Sequence, residues 1–411
     1  MTVKPFRAIR PEARFASEFH VPPYDVVDRE EVKRHLAAHP RSFFRVTRPD
    51  AEMPGVDEHD ESVYRRAKEN LDSYLADGTL LREKRPTYYL LSQTWKGRTQ
   101  TGIYAAVSCE EYVQNRIRKH ELTRKDKEDD RTKHIMTTGA GTGPVFLAFE
   151  KTSDWDALVA PTLRKEPDYH VSDENGTDNK LWVIGSDDVV QAIESYFQTI
   201  PALYIADGHH RAASAGNIYR RLSAERPNAP SDAGWKSFMA VIFPSSDLAI
   251  LAYNRVVFDL NGLDAAAFLK KSEEKFSVAP VDSLEPMAQG DLRAYLGGKC
   301  YRLVAKSGTF DSKSALASLD VSVLQENLLK PVLGIDDPRT SKRIQFVGGI
   351  KGTAELKRRV DSGEAAVAFS LYPVSMRELM AVVDQGAIMP PKSTWFEPKL
   401  RDGLVIYELG L

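Results

Sequence analysis

A mixed α/β fold is what this sequence predicts, and three observations predict it. Through the middle of the chain, short apolar β-type runs alternate with stretches whose apolar residues recur at helical spacing. Residues 87–91 and 102–107 flank a Lys96-Gly97-Arg98 turn and read as a hairpin. The 411 residues, 42% hydrophobic and 28% charged, are enough for two or three domains with sizeable cores.

The elements follow in order. Val21-Pro22-Pro23-Tyr24-Asp25 is extended, because each proline biases its predecessor away from helix. Residues 29–38 and 61–76 read as helices, the second with Tyr64, Leu71 and Leu75 at near-helical spacing. Residues 49–60, with Pro49, Pro54 and Gly55, read as an exposed loop. After the hairpin come a helix over 109–118, a dense polar segment over 119–131, a strand over 144–150, a helix over 155–163 and a loop over 168–179. A strand over 180–184 and a helix over 187–199 follow, then strands over 237–243 and 248–258. Beyond them the pattern gives helices over 263–276, 284–296 and 316–329, strands over 301–305 and 365–371, and a helix over 374–384. Soft boundaries fall near 85 and 250, giving an N-terminal region 1–85, a central domain 86–250 and a C-terminal α/β region 251–411.

Composition excludes several classes. A net charge of −2 offers no global attraction to nucleic acid or anionic lipid. No run of about 18 apolar residues exists, so no membrane span is expected. Cys109 and Cys300 stand far apart without metal-type spacing, which suggests a reducing compartment. The first residues lack the apolar core of a signal segment, so the expected location is the cytoplasm.

The densest chemistry lies at Asp207-Gly208-His209-His210-Arg211, between a β-type run, 202–206, and a helical run, 212–222. A strand-to-helix turn directs free N–H groups and the positive helix end at one spot, where an anion can bind. Gly208 permits a tight turn. Arg211 can grip phosphate in bidentate fashion, and His209 and His210 add donors that titrate near neutral pH. Asp207 is placed to hold a metal or accept a proton. The bland alternative is a simple turn with idle surface histidines. A second cluster, His120-Glu121 with Asp129-Asp130-Arg131, offers a base or ligand beside a histidine, or a solvated charge run. Its spacing is not HExxH, which excludes that zinc-protease motif. Met389 to Lys399 carries Lys392, Ser393 and Thr394, which could meet a phosphate, or else forms a C-terminal brace. Residues 343–352, with three glycines near Lys351, read as a turn rather than a phosphate cradle. No nucleophile elbow and no GxGxxG opening is present.

The order of Pro5-Phe6-Arg7-Ala8, Pro22 to Val26, His120-Glu121 with Asp130-Arg131, DGHHR at 207–211 and MPPKSTWFEPKL at 389–400 resembles a widespread prokaryotic family, DUF1015. The middle of that family is similar to the ParB/sulfiredoxin superfamily and its free-serine kinases. The resemblance implies a central ParB/sulfiredoxin-like nucleotide-binding domain with additional N- and C-terminal α/β regions. It implies Glu121 as base, with His120 and Asp207 assisting, and Gly208, His209, His210, Arg211, Arg131, Lys392, Ser393 and Thr394 around the nucleotide. ATP or ADP would be the donor, Mg²⁺ would sit at Asp207, and the acceptor would be a small hydroxyl-bearing metabolite such as free serine, giving O-phosphoserine. Two departures stand out: this chain is far longer than those kinases, and Glu121 is further from Asp207. The alternative function is a nucleotide-responsive ParB-like binding protein with little or no turnover. A third is a metal-dependent hydrolase on Asp207 and the histidine pair, which needs one more ligand converging nearby. No nucleic-acid partner is expected, and a homo-oligomer is left open.

Overall fold

The structure, a computed structural model, describes residues 1–411 and is mixed α/β. Its contacts divide the chain into two compact units, Met1–Leu248 with Pro398–Leu411, and Ala249–Glu397. No helix is long and apolar enough to cross a membrane.

The first unit is built on a nine-stranded sheet: β1 (Val3–Lys4), β2 (Tyr88–Trp95), β3 (Arg98–Ser108), β4 (Ile117–Arg118), β5 (Val145–Phe149), β6 (Tyr169–Ser172), β7 (Asp178–Ile184), β8 (Leu203–Asp207) and β9 (Ser237–Pro244). The order is β4-β8-β5-β9-β3-β2-β7-β6, with β1 on β3. β2 and β3 form the expected hairpin, Tyr89 opposite Tyr104 through Trp95 opposite Arg98. Lys96 (φ 48°) and Gly97 (φ 76°) are both left-handed, as a two-residue hairpin turn requires. One sheet face is covered by helices including α1 (Asp187–Gln198) and α2 (His209–Glu225), over a core of Leu90, Ile103, Leu147, Phe149, Trp155 and Phe197.

A four-stranded sheet in the same unit joins distant chain segments, in the order Leu80–Arg82, Ala8–Pro11, Ile406–Glu408, Ala140–Gly141. Its neighbours include helices Arg29–Ala38 and Glu61–Ala76. The first opens with a capping box between Asp28 and Glu31. The second unit holds a six-stranded sheet in the order Phe276–Val281, Lys299–Ala305, Leu292–Leu296, Val367–Ser370, Tyr253–Val257, Ile344–Gly348.

Several elements differ from expectation, each for a local reason. The helix expected over 109–118 covers only Cys109–Val113. Asn115, at φ 59°, turns the chain, and β4 begins two residues later. The polar segment 119–131 instead leads into a helix, Lys125–Thr138. That helix packs against both Glu61–Ala76 and α2, so its apolar residues form no single stripe. The loop expected over 168–179 is a hairpin of β6 and β7 closed by Asp173, whose N–H meets the Thr177 carbonyl at 3.0 Å. The helix expected over 284–296 is the fully buried strand Leu292–Leu296, turned back by Gly297 and Gly298, both left-handed. All five of its residues are buried, Arg293 with Asp291 as its partner at 2.7 Å, so the strand lacks the alternation of a half-exposed one. Within 49–60, expected to be exposed, Pro49, Asp50 and Ala51 are buried in a short 3₁₀ turn.

Candidate functional site

β4 and β8 run parallel, with Ile117 opposite Leu203 and Tyr204 beside Arg118. Parallel strands release the chain at the same sheet end, so the residues after β4 and after β8 meet there. His120 and Glu121 follow β4, and Asp207 and Gly208 end β8. His120 fixes the junction: its Nδ1 lies 2.9 Å from the Ile205 carbonyl, so this nitrogen carries the proton and donates. His120 packs at 90° on His209, ring centroids 4.4 Å apart.

The turn has the expected form. Gly208 is left-handed (φ 88°) and caps α2, whose first residue is His209. Asp207 Oδ1 accepts the Gly208 N–H at 2.8 Å. Its Oδ2 takes the Lys399 ammonium at 2.7 Å. Burial alone would raise the Asp207 carboxyl, but Lys399, Arg211 and the Gly208 N–H outweigh it and hold the group well below the usual carboxylate range. Lys399 comes from the last segment of the chain, which belongs to the same unit. With an ammonium on one oxygen and an N–H on the other, Asp207 does not fit the expected role of Mg²⁺ ligand, since a divalent ion would face Lys399 at close range.

Burial pushes His120 down to about 4 and His209 well below its ordinary value, so both imidazoles are neutral near pH 7. His210 is also lowered by burial. Its Nε2 accepts the backbone N–H of Arg124 at 3.2 Å, pinning the entrance to helix Lys125–Thr138 rather than standing open at the turn.

The Arg211 side chain, expected to grip phosphate, is engaged within the first unit. Its guanidinium, 13% exposed, lies behind the turn, donating to the Pro144 carbonyl at 2.6 Å and standing 3.6 Å from Asp25. Burial opposes its charge, yet Asp402, Asp25 and Tyr24 hold the proton more firmly than in water. A buried guanidinium must direct its donors at nearby acceptors, and here the first unit supplies them. Arg131, expected at the nucleotide, is likewise committed: it binds Asp130 through two nitrogens, at 2.8 and 2.6 Å, and stacks on Tyr24 at 3.8 Å. Asp130 also accepts the Tyr64 hydroxyl at 2.7 Å and sits 2.9 Å from His59 Nδ1. Lys392, Ser393 and Thr394 lie in the second unit. There the Ser393 hydroxyl donates to the Pro390 carbonyl at 2.6 Å, and the Lys392 ammonium lies over Tyr253. Arg255 donates to the Lys392 carbonyl at 3.1 Å, and Asn254 accepts the Leu371 N–H at 3.1 Å, so these two polar residues of strand Tyr253–Val257 brace the fold.

Sequence reasoning missed the buried acid Asp402. It is 1% exposed, and its Oδ1 has no hydrogen-bond partner. It lines a cavity of about 50 Å³ together with Arg211, Arg131, Tyr24, Trp235 and Phe238. Burial raises its carboxyl to about 7, against the pull of Arg211 and Arg131. Lys399 sits inside the 389–400 motif, which marks it as a candidate to close the site, whereas one aspartate after an arginine at 402 carries no local signal.

The model of the family described as "Protein of unknown function (DUF1015)" matches residues 3–322. The chain belongs to this family. A search of curated proteins finds no match. Among solved structures, a free serine kinase in complex with AMP is similar at 14% identity and a TM-score of 0.37, over 74% of this chain and 91% of that one. A hypothetical protein from Pyrococcus furiosus is similar at 16% and 0.36, over 74% and 95%. SbnI from Staphylococcus aureus, truncated at its C-terminus, is similar at 11% and 0.39, over 74% and 87%. Likeness at this level carries neither a ligand nor an activity over to this family member.

Proposed function

We propose that this chain is a phosphotransferase that moves a phosphoryl group from ATP or ADP to the hydroxyl of a small metabolite, free serine being the first acceptor to test. The supporting observation is the parallel pairing of β4 with β8, which sets Glu121 beside the N-terminus of α2. Such a helix start offers N–H groups and a positive dipole to phosphate. Glu121 is then placed as the base that takes the acceptor's proton. The acceptor oxygen bonds to phosphorus as the bond to the leaving nucleotide breaks, and the proton passes to Glu121. Positioning and charge neutralisation supply most of such catalysis.

In this reading the backbone of 208–211 holds phosphate, and the Arg211 side chain keeps the turn in place from behind. Asp207 orients Lys399, whose ammonium is a positive charge at the strand end. The nucleotide class and the ParB/sulfiredoxin kinship rest on the sequence motifs. The test is a transfer screen: purified protein, ATP or ADP with Mg²⁺ in solution, and a panel of amino acids and small alcohols, with products read by mass spectrometry. A phosphorylated acceptor is expected. Nucleotide binding without transfer to any acceptor would replace this reading with the nucleotide-responsive binding protein.

A further inference from the structure

We infer that His120, Glu121 and His209 form a binding site for one divalent transition-metal ion of the zinc type. Each residue offers one ligand atom, and the three atoms lie within 4.8 Å of one another. Three independent features of the structure point to a ligand there.

The first is the tautomer of His120. Its Nδ1–H is engaged by the Ile205 carbonyl at 2.9 Å, which leaves Nε2 as the lone-pair atom and fixes the ring plane. A backbone carbonyl holding the far nitrogen is the usual outer support of a metal-bound imidazole. The second is His209. It is 6% exposed, and its Nε2 is buried without a hydrogen-bond partner. A buried ring nitrogen in that state is uncommon and calls for an occupant. The third is the donor set itself. Two imidazoles and one carboxylate suit zinc, iron(II), cobalt or nickel, whereas magnesium and calcium favour oxygen alone. Three protein ligands leave room for water or a substrate oxygen, as in catalytic zinc sites.

The topology explains why these three meet. His120 and Glu121 leave β4, and His209 is the first residue of α2 after β8. The β4–β8 register brings both exits to one sheet end, and the left-handed Gly208 starts α2 directly after β8. Glu121 is only partly buried, so the open coordination position lies on its side, towards solvent. The site does not rest on the phosphotransferase reading, because it needs no nucleotide. Where Glu121 serves as base, an ion held by its carboxylate suspends that role.

The test uses the full chain stripped with a chelator and titrated with Co²⁺ alone, followed by visible absorption, then with Zn²⁺. One equivalent of Co²⁺ is expected to give ligand-field bands of low coordination number, which Zn²⁺ abolishes by displacement. His209→Ala and Glu121→Gln should each weaken binding at least about tenfold. Glu121→Gln, at a partly exposed position, retains the fold by circular dichroism. His210→Ala, whose ring is engaged with Arg124, should leave affinity unchanged. No saturable binding at one equivalent, or binding that survives both His209→Ala and Glu121→Gln at full strength, would overturn the site. Absence of transfer to any acceptor, with metal binding intact, would refute the phosphotransferase reading and leave this one standing.

Discussion

Two strand-to-helix turns in this protein share a glycine and differ in almost everything else. In the first unit, β8 passes through Gly208 into α2. In the second, strand Ile344–Gly348 passes through Gly349-Ile350-Lys351 into helix Gly352–Asp361. A Cβ on Gly349 would sit 2.5 Å from the Ala252 carbonyl oxygen, and one on Gly348 would meet the Trp395 ring at 2.6 Å. Those glycines are there because backbone and ring press against them. Gly208 is crowded far less, its nearest neighbour 3.4 Å away, and is needed for its left-handed φ of 88°. Polar groups surround one turn and packed atoms the other. A glycine-rich strand end therefore marks a site only when ionisable residues converge on it.

The largest expected effect separates the two turns by activity. Glu121→Gln should lower the turnover of phosphoryl transfer about 10²–10⁴-fold, the range for loss of a general base, with nucleotide affinity kept. Glu355→Gln on the second turn's helix, where Glu355 pairs with Arg358 and Arg359, should leave turnover unchanged. Steady-state kinetics and nucleotide titration check both, and equal effects would dissolve the contrast. Next come the glycines. Gly349→Ala should destabilise by about 1–3 kcal/mol through overpacking. Gly208→Ala should destabilise by about 1–2 kcal/mol through backbone strain, and it should also impair transfer. Urea unfolding with parallel assays reads both, and a fully active Gly208→Ala variant would count against the turn as the phosphate site.

Much of this layout was legible beforehand. Helices 29–38 and 61–76 carry regular apolar spacing, and the β2–β3 hairpin announces itself by two β-type runs about a glycine turn. The DGHHR turn was visible because a β-type run and a helical run abut there. What stayed hidden depends on partners far along the chain. Arg211 reads as a phosphate grip until Pro144 and Asp25 are seen to take its donors. The closeness of His120 to His209 follows from strand order, which local spacing does not encode. Strand Leu292–Leu296 carries no period of two because all five of its residues are buried, and its only local strand signal is the Gly297-Gly298 turn that follows it.

The buried acid behind the turn gives a smaller, pH-dependent effect. With the Asp402 carboxyl raised to about 7 by burial, the folded chain keeps its proton where the unfolded chain, near 3.8, has lost it. Stability should therefore fall as pH rises from about 4 to about 7 on account of this group. Asp402→Asn should flatten that part of the profile. Chemical denaturation at pH 5 and pH 8, wild type against variant, measures it. An unchanged slope would show that Arg211 and Arg131 keep Asp402 ionised.

The smallest effect concerns the front of the same turn and has the opposite sign. Asp207 is held below the usual carboxylate range despite burial, so its contribution is present above about pH 4 and is lost only in strong acid. Lys399→Met removes the ammonium 2.7 Å away. The acid-side loss due to this group should then shrink, because the folded carboxyl moves back towards its ordinary range. The stability change at neutral pH should stay within about 1 kcal/mol, because 42% of the Asp207 side chain and 22% of that of Lys399 meet solvent, where ion pairs are weak. The contrast with Asp402 is sharp. Asp207 is kept charged by a lysine and Asp402 is kept protonated by burial, so acid should weaken the first contribution and base the second. If Lys399→Met leaves the acid limb of the unfolding curve where it was, the lysine acts on a bound ligand rather than on Asp207.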